Sequence, residues 1–263
     1  MKIIALGTGA AFTTKNWQTN FIIQENGKNL LVDCGGDVRH SLLRQNMSYL
    51  DIDAVYISHA HLDHAGGIDF IAYGTYFDPR YIGKPKLFCE RQLMRDLWDH
   101  SWRGALEGLQ GIDATIDTYF DANPVDKNSY FIFKNIMFDI VQSIHISAKY
   151  AVVNSYGLMF NDDSGGKRIY IPTDVQFAPK SSMMAYYNEA DIIFHDCETA
   201  NESGVHAYYN DLASLSPEIK KKMYLVHFQD NVIEEWDMWS EKATKDGFRG
   251  FCKPGVIYET KTC

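Results

Sequence analysis

Ser58-His59-Ala60-His61-Leu62-Asp63-His64-Ala65-Gly66-Gly67 sets three imidazoles and a carboxylate within six residues, directly after the apolar run Asp53-Ala54-Val55-Tyr56-Ile57. That run is short, β-branched and aromatic, the composition of a buried strand, and the stretch from Ala65 to Phe77 suits a helix beginning near His64. The cluster therefore sits on a strand-to-helix loop. His59 and His61, two apart in a chain leaving a strand, can converge on one cation, while Asp63 and His64, past the turn, can reach a second. Nine histidines scattered over the chain would rarely fall by chance into H-x-H-x-D-H spacing ahead of a glycine pair. The stretch reads as a metal site.

At 263 residues with 46% hydrophobic side chains, the chain suits one domain spanning 1–263 around a sizeable core. It contains no run of about 18 apolar residues, and its start is too short and too soon broken by glycine for a signal peptide, so a cytosolic protein with no membrane partner is expected. Five cysteines (Cys34, Cys89, Cys197, Cys252, Cys263) are scattered without C-x-x-C, which suggests neither a disulfide framework nor a cysteine zinc cage. The net charge is −9, and the only dense basic run, Lys220-Lys221-Lys222, suits a helix end or a turn. That argues against long nucleic acid as a partner. A small phosphate ester stays open to an acidic protein if bound metals supply positive charge locally.

Taken in order, Lys2 to Leu6 reads as a strand, and Gly7-Thr8-Gly9-Ala10-Ala11 as a tight turn that lacks the lysine of a phosphate loop. Strands Phe21–Gln24 and Asn29–Asp33 flank Asn26-Gly27, a hairpin signal, and lead to Asp33-Cys34-Gly35-Gly36. Residues 37–48 suit a helix. Tyr73, Tyr76, Phe77 and Tyr81 read as core packing first, and second as a stacking wall for a nucleobase. Residues 85–89 predict a strand, 90–107 one amphipathic helix with Trp98 and Trp102 on a shared face, and 112–120 a strand ended by Asn123-Pro124. Ile136–Ile146 predicts a strand delivering His145, 152–160 another, and 161–166 a hairpin turn without calcium-loop spacing. Arg168–Pro172 runs into Thr173-Asp174. Asp191–Phe194 ends at His195-Asp196-Cys197-Glu198-Thr199, Met223–Val226 ends at His227, and 232–245 suits a helix carrying Trp236 and Trp239. Four apolar strands, at 53–57, 141–146, 168–174 and 223–227, thus deliver a His or Asp of one candidate site at their C-terminal ends.

The H-x-H-x-D-H motif with these strand-end residues resembles the metallo-β-lactamase superfamily, which implies an α/β fold, an αββα sandwich of two similar halves. Leu6 through Asn20, Leu31-Val32-Asp33-Cys34-Gly35 and Leu225-Val226-His227-Phe228 resemble tRNase Z, the tRNA 3'-processing endonuclease, and His195-Asp196-Cys197-Glu198-Thr199 looks like its H-E-x-T. The chain departs from that pattern in three places. The carboxylate falls at either Asp196 or Glu198, Pro172-Thr173-Asp174 replaces Ser-Gly-Asp, and no glycine- and proline-rich tRNA-gripping arm lies between His145 and Asp174. Over nearly its full length the chain resembles the anti-Pycsar phosphodiesterases, tRNase Z relatives that destroy cyclic mononucleotide signals, and the run from Asp196 to Tyr209 fits that group.

The resemblance implies that His59, His61 and His145 bind one metal and Asp63, His64 and His227 a second, with Asp174 bridging and Asp33 orienting a ligand histidine from behind. It places Asp63, His195, Glu198 and His206 at the reacting centre, with His195 first and His206 second as the group that stabilises or protonates the leaving oxygen. Two divalent ions are implied, zinc by the His/Asp shell, with manganese tolerating the same donors. The implied substrates are 3',5'-cyclic mononucleotides (cyclic CMP, cyclic UMP, cyclic AMP, cyclic GMP), the implied products nucleoside 5'-monophosphates, and the implied assembly a homodimer. The rival readings are a tRNA 3'-processing endoribonuclease, a lactonase or thioesterase sharing the ligand set, and a module that sequesters a signal nucleotide without turnover.

Overall fold

The strands of the first half read as unbroken apolar runs because each is covered on both faces. Along successive residues the side chains alternate sides. Ile3, Phe21, Ile23, Leu30, Val32, Ala54 and Tyr56 enter a core between two sheets, while Ile22, Leu31, Val55 and Ile57 enter a second core under helices. The computed structural model describes residues 1–149, 151–162, 166–178, 183–200 and 202–260. Among these, two seven-stranded sheets stack face to face.

The first sheet runs, edge to edge, Ile257–Glu259, Lys2–Gly7, Asn20–Glu25, Lys28–Val32, Ala54–Ile57, Lys86–Glu90 and Asp121–Val125. The second runs Gly250–Phe251, Met223–Val226, Ile192–Asp196, Arg168–Thr173, Ala151–Asn161, Ile136–Ala148 and Tyr130–Phe133. Helices Val38–Arg44, Ile68–Phe77 and Arg91–Leu97 cover the outer face of the first sheet, and Met183–Glu189, Tyr209–Ala213 and Trp236–Asp246 cover that of the second. This is the αββα sandwich of the metallo-β-lactamase fold. No helix among the described residues is long and apolar enough to cross a membrane.

Asn26 and Gly27 both take positive φ (49° and 70°), as a two-residue hairpin matched to strand twist requires. Several boundaries differ from expectation. The helix at 37–48 ends at Arg44, and the helix foreseen over 90–107 is interrupted by a π turn at Trp98–Trp102, which lets buried Trp102 donate Nε1–H to Ala65 O at 3.0 Å. Residues 112–120 are not a strand: Ile112–Asp113 makes a two-residue pairing and Ile116–Tyr119 a helical turn. The strand begins afterwards, at Asp121–Val125, and includes Pro124 because it lies at the sheet edge, where a missing N–H leaves no neighbour unpaired. The helix at 232–245 is split at Glu235 into Asn231–Glu234 and Trp236–Asp246. Of the turn foreseen at 161–166, Asp163, Ser164 and Gly165 lie outside the described residues.

Tyr73 and Tyr76 pack edge-on against Tyr119, so this aromatic cluster closes the helical layer of the first sheet. The basic run is occupied within the fold: Lys222 Nζ donates to Asn188 O (2.9 Å) at the end of Met183–Glu189, Lys220 Nζ to Ala213 O (2.8 Å), and Lys221 Nζ pairs with the Glu218 carboxylate.

Candidate metal centre

In both sheets the strands that carry functional residues end on the same side. Lys28–Val32 and Ala54–Ile57 are parallel, and Arg168–Thr173, Ile192–Asp196 and Met223–Val226 are parallel in the other sheet. The halves are joined where these strands end, by Tyr156 N donating to Ser58 O (3.0 Å) and Tyr56 Oη donating to Tyr156 O (2.7 Å).

The loop after Ile57 is braced from behind. Cys34 N donates to His64 O (2.7 Å), Gly36 N to Leu62 O (3.2 Å) and Gly67 N to Cys34 O (2.8 Å). This contact needs two glycines: a Cβ on Gly35 would lie 2.1 Å from Asp63 O, and one on Gly67 2.1 Å from Gly35 O. Between them Leu62–Ala65 forms a single helical turn that carries Asp63 and His64.

Three further residues arrive by irregular backbone. His145 sits at a register shift between Ile144 and Ile146, where a bulge turns its ring inward. Thr173 and His227 take φ of 59° and 57°. Left-handed backbone costs a β-branched residue roughly 1–2 kcal/mol. It turns Asp174 out of the strand into the site and is held by a 2.5 Å hydrogen bond between the hydroxyls of Thr173 and Ser155. The departure from Ser-Gly-Asp thus falls where a glycine would carry no such strain.

The side chains fall into two groups that share one carboxylate. His59, His61, His145 and Asp174 form one, and Asp63, His64, Asp174 and His227 the other, with the ligating atoms of each within 4.8 Å of one another. His61 offers Nδ1, which lies 3.2 Å from His59 Nε2 and 3.1 Å from His145 Nε2. Asp174 Oδ2 lies 3.7 Å from each of those Nε2 atoms. In the second group Asp174 Oδ2 is 3.2 Å from His64 Nε2 and 3.4 Å from His227 Nε2, and Asp63 Oδ2 is 3.2 and 3.3 Å from the same two nitrogens. Donors about 2.0–2.1 Å from a tetrahedral ion stand roughly 3.3 Å apart, so the spacing fits a divalent cation in each group.

Protonation points the same way. Burial lowers His59, His61 and His145 below their ordinary values and keeps these imidazoles neutral, the ligating form. Burial opposes ionisation of Asp63, and yet His64 and His227 hold its carboxyl far below the usual range; burial opposes Asp174 as well, and His227 and His64 hold it low. Burial would lower His64 too, but the carboxylates of Asp174, Asp63 and Asp33 raise it. Asp33 Oδ2 takes Nδ1 of His64 at 2.8 Å, and the buried Nε2, though 3.2 Å from carboxylate oxygens of Asp63 and Asp174, makes no well-aligned hydrogen bond among the described residues. The carboxylates around His64 favour positive charge at Nε2, which a divalent ion held there would supply in place of a proton. Asp33 accepts Ser58 N and Oγ as well, each at 2.8 Å, so the orienting role expected of it has a geometric basis.

The four remaining candidates separate. His206 lines a cavity of about 450 Å³ together with His61, Asp63, His145 and Asp174. Its Nδ1 is 3.1 Å from Asp196 Oδ2 and its ring stacks on His227 with centroids 4.6 Å apart. Burial would lower it, but the hydrogen bond to Asp196 and the charge of Asp174 push it up to about 9. His195 is fully buried away from the cavity, its Nε2 bonded to Tyr187 Oη (2.5 Å) and its Nδ1 to Asp196 O (2.7 Å). Of the two, His206 lines the cavity and His195 sits behind it. Asp196 is the carboxylate that serves both, lying 3.1 Å from His195 Nδ1 as well. Glu198 instead accepts Ser203 N (2.7 Å) and Oγ (2.9 Å) and shapes the loop that presents His206. Asp196 and His206 also form a third acidic group with Asp174. Tyr73, Tyr76, Phe77 and Tyr81 are not among the residues lining the cavity, which excludes them as its stacking wall; sequence reasoning instead passed over Phe12, Gln18, Ile146 and Val205, which do line it.

Comparison with known proteins places these features in context. A family model described as "Anti-Pycsar protein Apyc1" matches residues 1–258. The anti-Pycsar protein Apyc1 of Paenibacillus harenae is 32% identical over 233 residues, covering 88% of this chain and 91% of that protein. The one from Bacillus phage 010DV004 is 28% identical over 273 residues, covering 98% of each. Among solved structures, a diphosphatase of the PhnP family superposes with a TM-score of 0.74 at 19% identity over 100% of this chain and 98% of its own. Human tRNase Z, short form, does so with 0.70 at 16% identity over 100% of both. At that identity these two report the shared fold.

Proposed function

The chain belongs to the anti-Pycsar protein Apyc1 family, and on that premise we propose that it is a metal-dependent phosphodiesterase that hydrolyses 3',5'-cyclic mononucleotides, cyclic CMP, cyclic UMP, cyclic AMP and cyclic GMP, to nucleoside 5'-monophosphates. The observation that carries this reading is the pair of His/Asp groups joined by Asp174 on the floor of a cavity of about 450 Å³, a volume suited to a small ligand. Destroying such nucleotides would suppress Pycsar-type antiphage signalling, and the name shared by the phage and bacterial relatives supports that role.

His59, His61 and His145 would hold one divalent ion and Asp63, His64 and His227 the other, with Asp174 between them. The His/Asp donor set suits zinc, and manganese accepts it. Bound there, such ions supply positive charge to the phosphate oxygens and acidify a water for attack on phosphorus. The residues of the chain do the rest. Asp33 fixes the ring of His64. Asp196 holds Nδ1 of His206, which leaves Nε2 as the nitrogen that meets the substrate, and its proton passes to the ribose 3'-oxygen as the bond from phosphorus breaks. His195 and Tyr187 keep Asp196 in place from behind.

The reading includes a homodimer, supported by the exposed apolar side chains of Tyr130, Ile132 and Met137 on paired strands at the edge of the second sheet. Sedimentation equilibrium tests it, and a monomer at micromolar concentration removes it. The function itself is tested by incubating metal-loaded protein with the four cyclic nucleotides and with a precursor tRNA, and resolving the products by chromatography. Conversion to 5'-monophosphates is expected. Intact cyclic nucleotides alongside cleaved tRNA would make the protein a processing nuclease.

A further inference from the structure

Phe12 lines the cavity over the metal groups and yet is 95% exposed. Leaving such a ring in water forfeits the stabilisation that its burial would contribute. The backbone beneath it is firmly held. Ala10 N donates to Phe228 O (3.0 Å) and Thr13 N to Ala10 O (3.0 Å). Thr14 N and Oγ1 both donate to Asp230 Oδ2 (3.0 and 2.8 Å), Lys15 Nζ pairs with Glu234 Oε1 (2.6 Å), and Gln18 Nε2 donates to Ala11 O (3.1 Å). Most of these anchors lie just beyond His227, so the loop is tied to the element that delivers a residue of the metal centre. A bare ring on a fixed backbone, at the rim of a cavity floored by Asp63, Asp174 and His206, is placed to meet a ligand whose charged end lies on that floor.

We propose that Phe12 is the platform on which the substrate's nucleobase stacks while its cyclic phosphate lies against the metal centre. The assignment rests on the phosphodiesterase reading and specifies how that site holds its substrate. A ring face makes no hydrogen-bonding demand, so it accepts purines and pyrimidines alike, and base–aromatic stacking contributes about 1–3 kcal/mol. Broad base tolerance then follows from a single side chain. The apolar surface it offers with Leu62, 64% exposed on the same cavity, is small against the roughly 800 Å² per partner of a stable protein interface, which favours a small ligand over a second copy of the chain.

The test compares wild type, Phe12→Ala and Phe12→Trp as metal-loaded proteins. Binding of cyclic CMP, cyclic AMP and the base-free methyl riboside 3',5'-cyclic phosphate is measured by calorimetry, turnover of each by chromatography, and association state by sedimentation. Phe12→Ala is expected to weaken both nucleotides by roughly 5- to 150-fold, the stacking range converted at 1.36 kcal/mol per tenfold, and to weaken the base-free ring at least fivefold less. Phe12→Trp restores nucleotide affinity to within about threefold. Equal losses on all three ligands, no loss on any, or a changed association state with nucleotide affinity intact would overturn the assignment. Selective weakening of binding without turnover in wild type would leave the platform standing and remove the phosphodiesterase reading instead.

Discussion

Asp33 shows how much one carboxylate can organise. From a left-handed backbone position (φ 63°) it accepts two bonds from Ser58 and fixes the Nδ1 side of His64, which leaves Nε2 to the metal position. Asp33→Asn removes the charge and allows the wrong ring orientation, so affinity for the second metal is expected to fall roughly 10- to 100-fold; competition against a chromogenic chelator reads it, and unchanged affinity would free His64 from that dependence. His206 and His195 are separated by a paired experiment. His206→Ala is expected to lower kcat by roughly 10²- to 10⁴-fold with metal content retained. His195→Ala strands the buried Tyr187 hydroxyl and Asp196, and costs about 1–3 kcal/mol of stability in urea unfolding. A rate loss of the same size with no loss of stability would return His195 to the reaction. The distinction was open to sequence reasoning: His195 is one residue short of the end of Ile192–Asp196 and shares a face with Ile193, which packs under the helices, whereas Ile192 and Phe194 enter the core between sheets.

Among the elements, the metal loop and the loop after Val32 form one unit because their backbones touch at Gly35 and Gly67. Gly67→Ala would set a Cβ 2.1 Å from a backbone oxygen, and neither loop can yield without moving Asp63 and His64. A destabilisation of about 1–3 kcal/mol or more is expected, together with loss of metal from the second group, both read by denaturant unfolding and elemental analysis; a fully loaded variant of wild-type stability would show the contact to be loose. The strands and their end residues were legible because runs such as Ala54–Ile57 are apolar on both faces and stop at a polar residue. Less was legible where the backbone is irregular. The bulge at His145 leaves no mark in an alternating pattern that merely shifts by one, and the π turn at Trp98–Trp102 widens one turn and re-aims Trp102, which the i, i+4 spacing of the two tryptophans does not signal. Phe12 was invisible for a different reason: exposure of a single aromatic is a property of the fold around it.

The whole molecule is a device for bringing two sheets' strand ends to one edge. The first sheet supplies His59, His61, Asp63 and His64, the second His145, Asp174 and His227, so each metal group draws on both halves, and Asp174 belongs to both groups. Neither group is complete within one sheet, and the hydrogen bonds joining Tyr56 and Ser58 to Tyr156 hold the halves in register at that edge. The most direct test of this account is the metal content per chain, by elemental analysis after saturation and gel filtration, for wild type beside His145→Ala and His64→Ala. The account predicts about two ions per chain in wild type and about one in each variant, from the two groups that share Asp174. A wild-type content of one ion per chain, or two in either variant, would contradict it.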